Sequence, residues 1–201
     1  MDTIKPAHEV ARVTQQELEA VTDREGVDRQ MCVPACFYML GEAAGYNPGT
    51  LADFANSLDW EKDYEPGKIW MRPELSRTMR QHGMSVVTWR PDLNTDPNID
   101  AMTAAGYLGS QREIAFYRDN IVGKTPEQIV RAGWPIIASM KPEFATAKAV
   151  HAVILAEWTD DYVHVIDPDR ENQQDHYDPS RVLEYMRPGG ACTLVLPSEN
   201  S

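Results

Sequence analysis

The stretch Gln30-Met31-Cys32-Val33-Pro34-Ala35-Cys36-Phe37-Tyr38-Met39-Leu40 decides how the rest of the chain is read. Behind Cys32, the apolar residues Ala35, Cys36, Met39, Leu40 and Ala43 recur at the spacing of a buried helical face. Pro34 suits the first turn, because the amide hydrogen it lacks would have no helical partner there. Gly45 and the turn Tyr46-Asn47-Pro48-Gly49 then stop the run, so the pattern predicts a helix from about Val33 to Gly45. Cys32 falls at the helix mouth, where the aligned peptide dipoles favour a thiolate over a thiol. Cys36 lies a full turn inside and reads as core, as does Cys192 on a late strand.

About 120 residues after Cys32, Val150-His151-Ala152-Val153-Ile154-Leu155 opens an apolar strand with a histidine. Val163-His164-Val165-Ile166-Asp167-Pro168 ends the next strand in an acid. If the two strands fold back symmetrically about Thr159-Asp160-Asp161, residue 151 faces roughly residues 168 to 170. Asp167 then lies within three positions of the residue facing His151. An acid held against one ring nitrogen fixes the imidazole tautomer and leaves the other nitrogen to take a thiol proton. Cysteine, histidine and acid in this order are the parts of a thiol hydrolase.

Composition sets the outer bounds. A chain of 201 residues, 42% hydrophobic and 25% charged, fits one soluble domain with a sizeable core. A formal net charge of -12 argues against nucleic acid as a partner, since that usually needs a basic face. No run approaches the roughly 18 apolar residues of a membrane span. The N-terminal residues lack a basic-then-apolar signal pattern, so a cytoplasmic location is expected. Three cysteines, an odd number, argue against a disulfide framework.

Read in order, Thr14 and Thr50 cap helices over Gln15–Val21 and Leu51–Leu58, and Pro73–His82 forms a third helix closed by Gly83. A strand follows at Met84–Trp89. Asn98–Asn120 is helical with a break at Gly106–Gly109, and Thr125-Pro126 starts a further helix. From Gly133 the character changes to strands: Trp134–Met140, Ala149–Trp158 and Tyr162–Asp167. A helix at Pro179–Met186 and a strand at Ala191–Pro197 close the chain. The expected class is α+β, with a nucleophile helix from a helical first half packed on an antiparallel sheet from the second half. Residues 1–29 read as an N-terminal segment. Residues 30–201 read as one domain, with a helical lobe over about 30–132 and a sheet lobe over about 133–201.

Other candidates are weaker. His164 alternates with Val163 and Val165 and reads as structural or surface, and His8, His82 and His176 carry no signal. Asp167, Asp169, Glu171 and Asp175 lack the glycine a calcium loop needs. No cysteine or histidine pair has zinc spacing. Neither a metal nor any other cofactor is expected. Trp60, Trp70, Trp134 and Trp158 fit core packing better than a substrate groove.

These motifs resemble the papain-like cysteine peptidases, and within them the bacteriocin-leader (double-glycine) peptidases. Cys32-Val33-Pro34-Ala35, with Met39-Leu40 and Gly45, is similar to that group's Cys-Gly-x-Ala motif on a helix ended by glycine. Gly133-Trp134-Pro135-Ile136-Ile137, the His151 strand, the Asp167-Pro168 strand end and the closing helix and strand follow the group's order. The resemblance leaves residues from about 50 to 125 unaccounted for. It implies a papain-like fold, a peptide or protein substrate, and a triad of Cys32, His151 and Asp167. The family also places a glutamine six residues before its cysteine, to help hold the oxyanion. That position relative to Cys32 is Gly26, whereas Gln30 lies six before Cys36. Gln30 is therefore the oxyanion candidate, and Cys36 stays open as the alternative nucleophile, although Pro34 and the helix length favour Cys32. Valine at position 33 replaces the family's glycine. A same-fold acyltransferase, transglutaminase or deamidase is the nearest alternative activity, and a non-catalytic peptide-binding module is the alternative of another class.

Overall fold

The helix that begins at Cys32 is the centre of one face of the molecule. The computed structural model describes residues 12–22, 31–58, 72–144, 150–169 and 174–199. Before that helix comes α1 (Gln15–Ala20), opened by Thr14 in a capping box with Glu17. The central helix is α2 (Cys32–Ala43), and every residue in it except Glu42 is buried. Its end is a Schellman closure: Gly45 adopts φ 82°, its amide bonds the Glu42 carbonyl, and the Tyr46 amide reaches the Gly41 carbonyl. Thr50, in a capping box with Asp53, starts α3 (Leu51–Ser57). Then follow α4 (Arg72–Gln81), β1 (Val86–Trp89), a 3-10 turn at Pro91–Leu93, α5 (Ile99–Ala104) and α6 (Gln111–Asn120). Thr125 caps α7 (Pro126–Arg131) in a third capping box, with Gln128.

The remaining strands are β2 (Ile136–Met140), β3 (His151–Trp158), β4 (Val163–Ile166), β5 (His176–Tyr177) and β6 (Cys192–Val195), with α8 (Pro179–Tyr185) before the last. They form one antiparallel sheet in the order β1-β6-β2-β3-β4-β5. Both faces are covered, so the strands read as nearly unbroken apolar runs. Alternate side chains then divide between two cores. Ile137, Ala152, Ile154, Ala156 and Ile166 pack with α2 and with Leu75 and Met79 of α4. Val87, Ala138, Met140, Val153, Leu155 and Val165 pack with Tyr117 of α6, Ile129 of α7 and Val182 of α8. The expected α+β architecture, with the Cys32 helix on an antiparallel sheet, is the one observed.

Three particulars go beyond the sequence reading. The sheet takes its edge strand β1 from the first half of the chain. The two-residue strand β5 lies in what reads as a polar loop, because His176 and Tyr177 pair with His164 and Val163 without an apolar run. The β3–β4 hairpin turns at Thr159–Asp161 as expected but carries a register shift between Leu155 and Glu157. Trp158 is core, Trp134 is partly buried against the same cluster, and Trp60 and Trp70 lie outside the described residues. Among the described residues no helix is long and apolar enough to cross a membrane.

The middle of the chain is held by a buried ion pair. Glu113 of α6 receives Arg80 Nε of α4 at 2.9 Å and also the backbone amides of Val86 and Gly109. Arg80 in turn donates to the carbonyls of Gly106 and Tyr107. Breaking a buried pair from one side leaves an uncompensated charge. Glu113→Ala is therefore expected to lower unfolding free energy by about 3–5 kcal/mol, read from the urea midpoint at unchanged slope.

Candidate active site

Cys32 is the first residue of α2, and no side-chain hydrogen bond caps the helix start at Met31. Pro34 has no amide hydrogen, and the Ala35 amide is already bonded to the Met31 carbonyl. Among the described residues, no side chain at the N-cap position occupies the end of the helix that carries the sulfur. Seating of the helix is fixed one turn further in, where Cys36 Sγ contacts the Ala152 carbonyl of β3 at 3.7 Å. That places Cys32 against the first residues of β3. There His151 and the Ala152 backbone bear on its thiol and favour the thiolate.

His151 opens β3 opposite Met140 and is buried. Its Nε2 lies 2.6 Å from Asp167 Oδ1, which leaves Nδ1 as the ring nitrogen for the thiol. Asp167 follows the last residue of β4 and is 2% exposed. The paired ladder ends at Ile154 and Ile166, and Asp167 continues past it toward the start of β3. Its Oδ1 also accepts the Asp169 amide at 2.8 Å, so the carboxylate is held from two sides.

The N-terminal segment braces this loop. Arg12 donates through Nε to the Asp167 carbonyl at 3.1 Å and through Nη2 to the Asp169 carbonyl at 3.0 Å. The Gln15 amide bonds the Pro168 carbonyl at 2.8 Å, and Gln16 Nε2 bonds Asp169 Oδ1 at 2.9 Å. No sequence signal marks these contacts, because they join residues more than 150 positions apart.

The electrostatics separate the three cysteines. Burial pushes the Cys32 thiol up, but the hydrogen bond and charge of His151, the Ala152 backbone and the Arg72 charge together bring it below the ordinary thiol value. Burial acts to lower the His151 pKa. The hydrogen bonds to Asp167 and Cys32 outweigh it and carry the ring up to about 10. Cys36, fully buried, is pushed well above the ordinary value by burial and by the neighbouring Cys32. Burial likewise pushes Cys192 up to about 12. The structure therefore brings Cys32, His151 and Asp167 together, and leaves Cys36 and Cys192 as core thiols.

Gln30 lies outside the described residues. Arg72, which sequence reading passed over, is the further charged residue near the sulfur; it opens α4 and is 5% exposed. An Arg-Pro helix start gives no local sign of burial. His164 stacks on His176 at 5.2 Å between ring centroids, on the far strands of the sheet. Among the described residues no group of three or more His, Cys, Asp or Glu side chains is arranged to hold a metal ion.

No protein-family model and no curated protein sequence matches the chain. Solved structures do match, two of them as follows. The peptidase domain of Streptococcus ComA, a bi-functional ABC transporter involved in a quorum-sensing pathway, is 14% identical with a TM-score of 0.50. The match covers 85% of this chain and 94% of that one. A Bacillus anthracis protein described as a C39-like peptidase is 14% identical with a TM-score of 0.53, over 99% of this chain and 100% of that one. The fold is that of the papain-like C39 peptidases. The match to the Bacillus anthracis protein spans 99% of this chain, well beyond the stretches that carry the motif resemblance.

The hydrogen bond from His151 is the leading cause that lowers the Cys32 thiol. Wild-type Cys32 is therefore expected to be alkylated by iodoacetamide with a midpoint below that of an ordinary thiol. His151→Ala should move that midpoint upward, as read by peptide mass spectrometry across pH.

Proposed function

We propose that this chain is a cysteine hydrolase of peptide or isopeptide bonds, with Cys32 as nucleophile, His151 as acid and base, and Asp167 as the group that orients His151. The observation that carries this reading is the buried His151–Asp167 pair, with Asp167 on Nε2 of the ring, beside a Cys32 thiol that His151 draws below its ordinary value. The fold shared with two peptidase-like structures supports peptides or proteins as substrates. In this reading residues 30–201 form the peptidase domain, and the segment before it contributes the brace on the Asp167 loop.

The chemistry follows from the resting ion pair. The Cys32 thiolate attacks the carbonyl carbon, and the negative charge passes to the carbonyl oxygen. Backbone amides at the start of α2 are the donors for that oxygen, with Gln30 as a further candidate. Collapse breaks the carbon–nitrogen bond, and the imidazolium of His151 gives its proton to the leaving amine. The neutral ring then takes a proton from water, which attacks the thioester and releases the acid and the thiolate. Asp167 keeps the ring in one orientation through both transfers. Every step uses groups of the chain, substrate and water alone.

Hydrolysis predicts a bell-shaped pH dependence. Activity rises as Cys32 ionises, at a pH below the ordinary thiol value, and falls as His151 loses its proton at about 10. Because Asp167 raises the ring, Asp167→Asn should draw the alkaline limb to lower pH. The direct test is incubation with a mixed peptide library, reading new termini by mass spectrometry, together with labelling by a peptide aldehyde. Cleavage and adduct on Cys32, reduced on the order of 10⁴-fold or more by Cys32→Ser and retained in Cys36→Ser, are expected. Labelled Cys36 with unlabelled Cys32 would overturn the assignment of the nucleophile.

A further inference from the structure

Arg72 is a buried cation whose counter-charge is not where a structural arginine keeps it. Its guanidinium donates through Nη1 to the Ile137 carbonyl at 2.8 Å and through Nη2 to Ser139 Oγ at 2.9 Å. Ser139 Oγ passes its own proton toward the Ala191 carbonyl at 3.4 Å. Both anchors are neutral oxygens. Among the described residues no carboxylate forms an ion pair with Arg72. The groups whose anionic forms would bear on it are the thiols of Cys192, Cys36 and Cys32. Arg80, on the same helix and less buried, has Glu113 at 2.9 Å.

Withdrawing a cation from water costs several kcal/mol, and two neutral acceptors offset only part of it. A buried arginine is therefore normally accompanied by an anion. Of the three thiols around Arg72, burial keeps Cys36 and Cys192 protonated, and Cys32 alone is shifted toward its anionic form. Charge bookkeeping points the same way. An ionised Asp167, a protonated His151 and a Cys32 thiolate sum to one buried negative charge, and Arg72 cancels it.

The geometry provides the coupling. Ser139, which holds the guanidinium, pairs across the β2–β3 ladder with Ala152. Ala152 is the residue whose carbonyl meets Cys36, one turn along α2 from Cys32. The guanidinium is thus fixed to the short ladder that carries the imidazole and against which the Cys32 helix packs. We propose that Arg72 is a positioning residue that acts as the second cation of the site, holding Cys32 as a thiolate alongside His151. This rests on the thiol chemistry proposed above. The titratable groups that bear on the sulfur are His151 of β3, Cys36 of α2 and Arg72 itself, with Asp167 beyond β4 acting on His151. Of these, Arg72 carries its charge across the whole working range.

The experiment is the pH dependence of Cys32 alkylation by iodoacetamide in the full chain, mapped by peptide mass spectrometry, with near-ultraviolet circular dichroism to establish folding. Arg72→Met and Arg72→Gln are both used; the glutamine variant removes the charge yet can still donate to the carbonyl of Ile137 or to Ser139. Each is expected to slow Cys32 alkylation about tenfold on the acid limb by raising the midpoint. Arg72→Lys, which keeps the charge, should recover most of the loss. A merely structural arginine would lower stability or peptide cleavage and leave the alkylation midpoint where it is in the wild type. That outcome in folded Arg72→Gln overturns the proposal and leaves the hydrolase reading standing. A wild-type Cys32 that reacts no faster than a free thiol overturns both, so the two failures are distinguishable.

Discussion

The site depends on the seating of α2 against the first residues of β3. The helix is buried along nearly its whole length, and each large apolar side chain removed from water contributes roughly 1.5–3 kcal/mol. Phe37 and Met39 are among those with no exposed surface. Packing of this kind fixes rotation about the helix axis, since a shift of one residue turns every side chain by about 100°. The contact of Cys36 with the Ala152 carbonyl sets that rotation, and Cys32, one turn earlier, then falls beside His151. The same burial makes Cys36 a poor nucleophile. One cysteine orients the helix and the other stands at its open end.

Three charged groups lie where water is nearly excluded, which makes their mutual arrangement decisive. Asp167 and His151 are 2% and 6% exposed and meet at 2.6 Å. In such surroundings a charged hydrogen bond is strong, and an unpaired charge is costly. The acid is therefore held by more than the ring. The Asp169 amide satisfies its oxygen, and Arg12, Gln15 and Gln16 clasp the loop that follows it. The N-terminal segment, which reads in sequence as an appendage, is part of what keeps the acid in place.

Much of this was legible because it is local. Thr14, Thr50 and Thr125 each begin a helix through a bond to a residue three positions on, so a short window contains the whole interaction. Gly45 closes α2 because a left-handed conformation is needed there, and glycine accepts it without strain. The nearness of His151 and Asp167 could be estimated from a hairpin count, since a single turn relates the two strands. The strand β5 could not, because two polar residues carry no alternation and are strands only by pairing with β4. Nor could Arg72, whose hydrogen-bond partners lie 65 and 67 positions away.

Apolar periodicity, caps and breakers in the chain determined the helices, the strands, the α+β class and the order of cysteine, histidine and acid, because each is encoded within a few residues or across one turn. Tertiary structure alone decided which thiol has its pKa lowered, what braces the Asp167 loop and that Arg72 is buried against β2. The reason is physical. A pKa is set by burial and by charges within several ångströms, and the residues that supply them come from α2, α4, β3 and the end of β4, which only the folded sheet and its covering helices bring together.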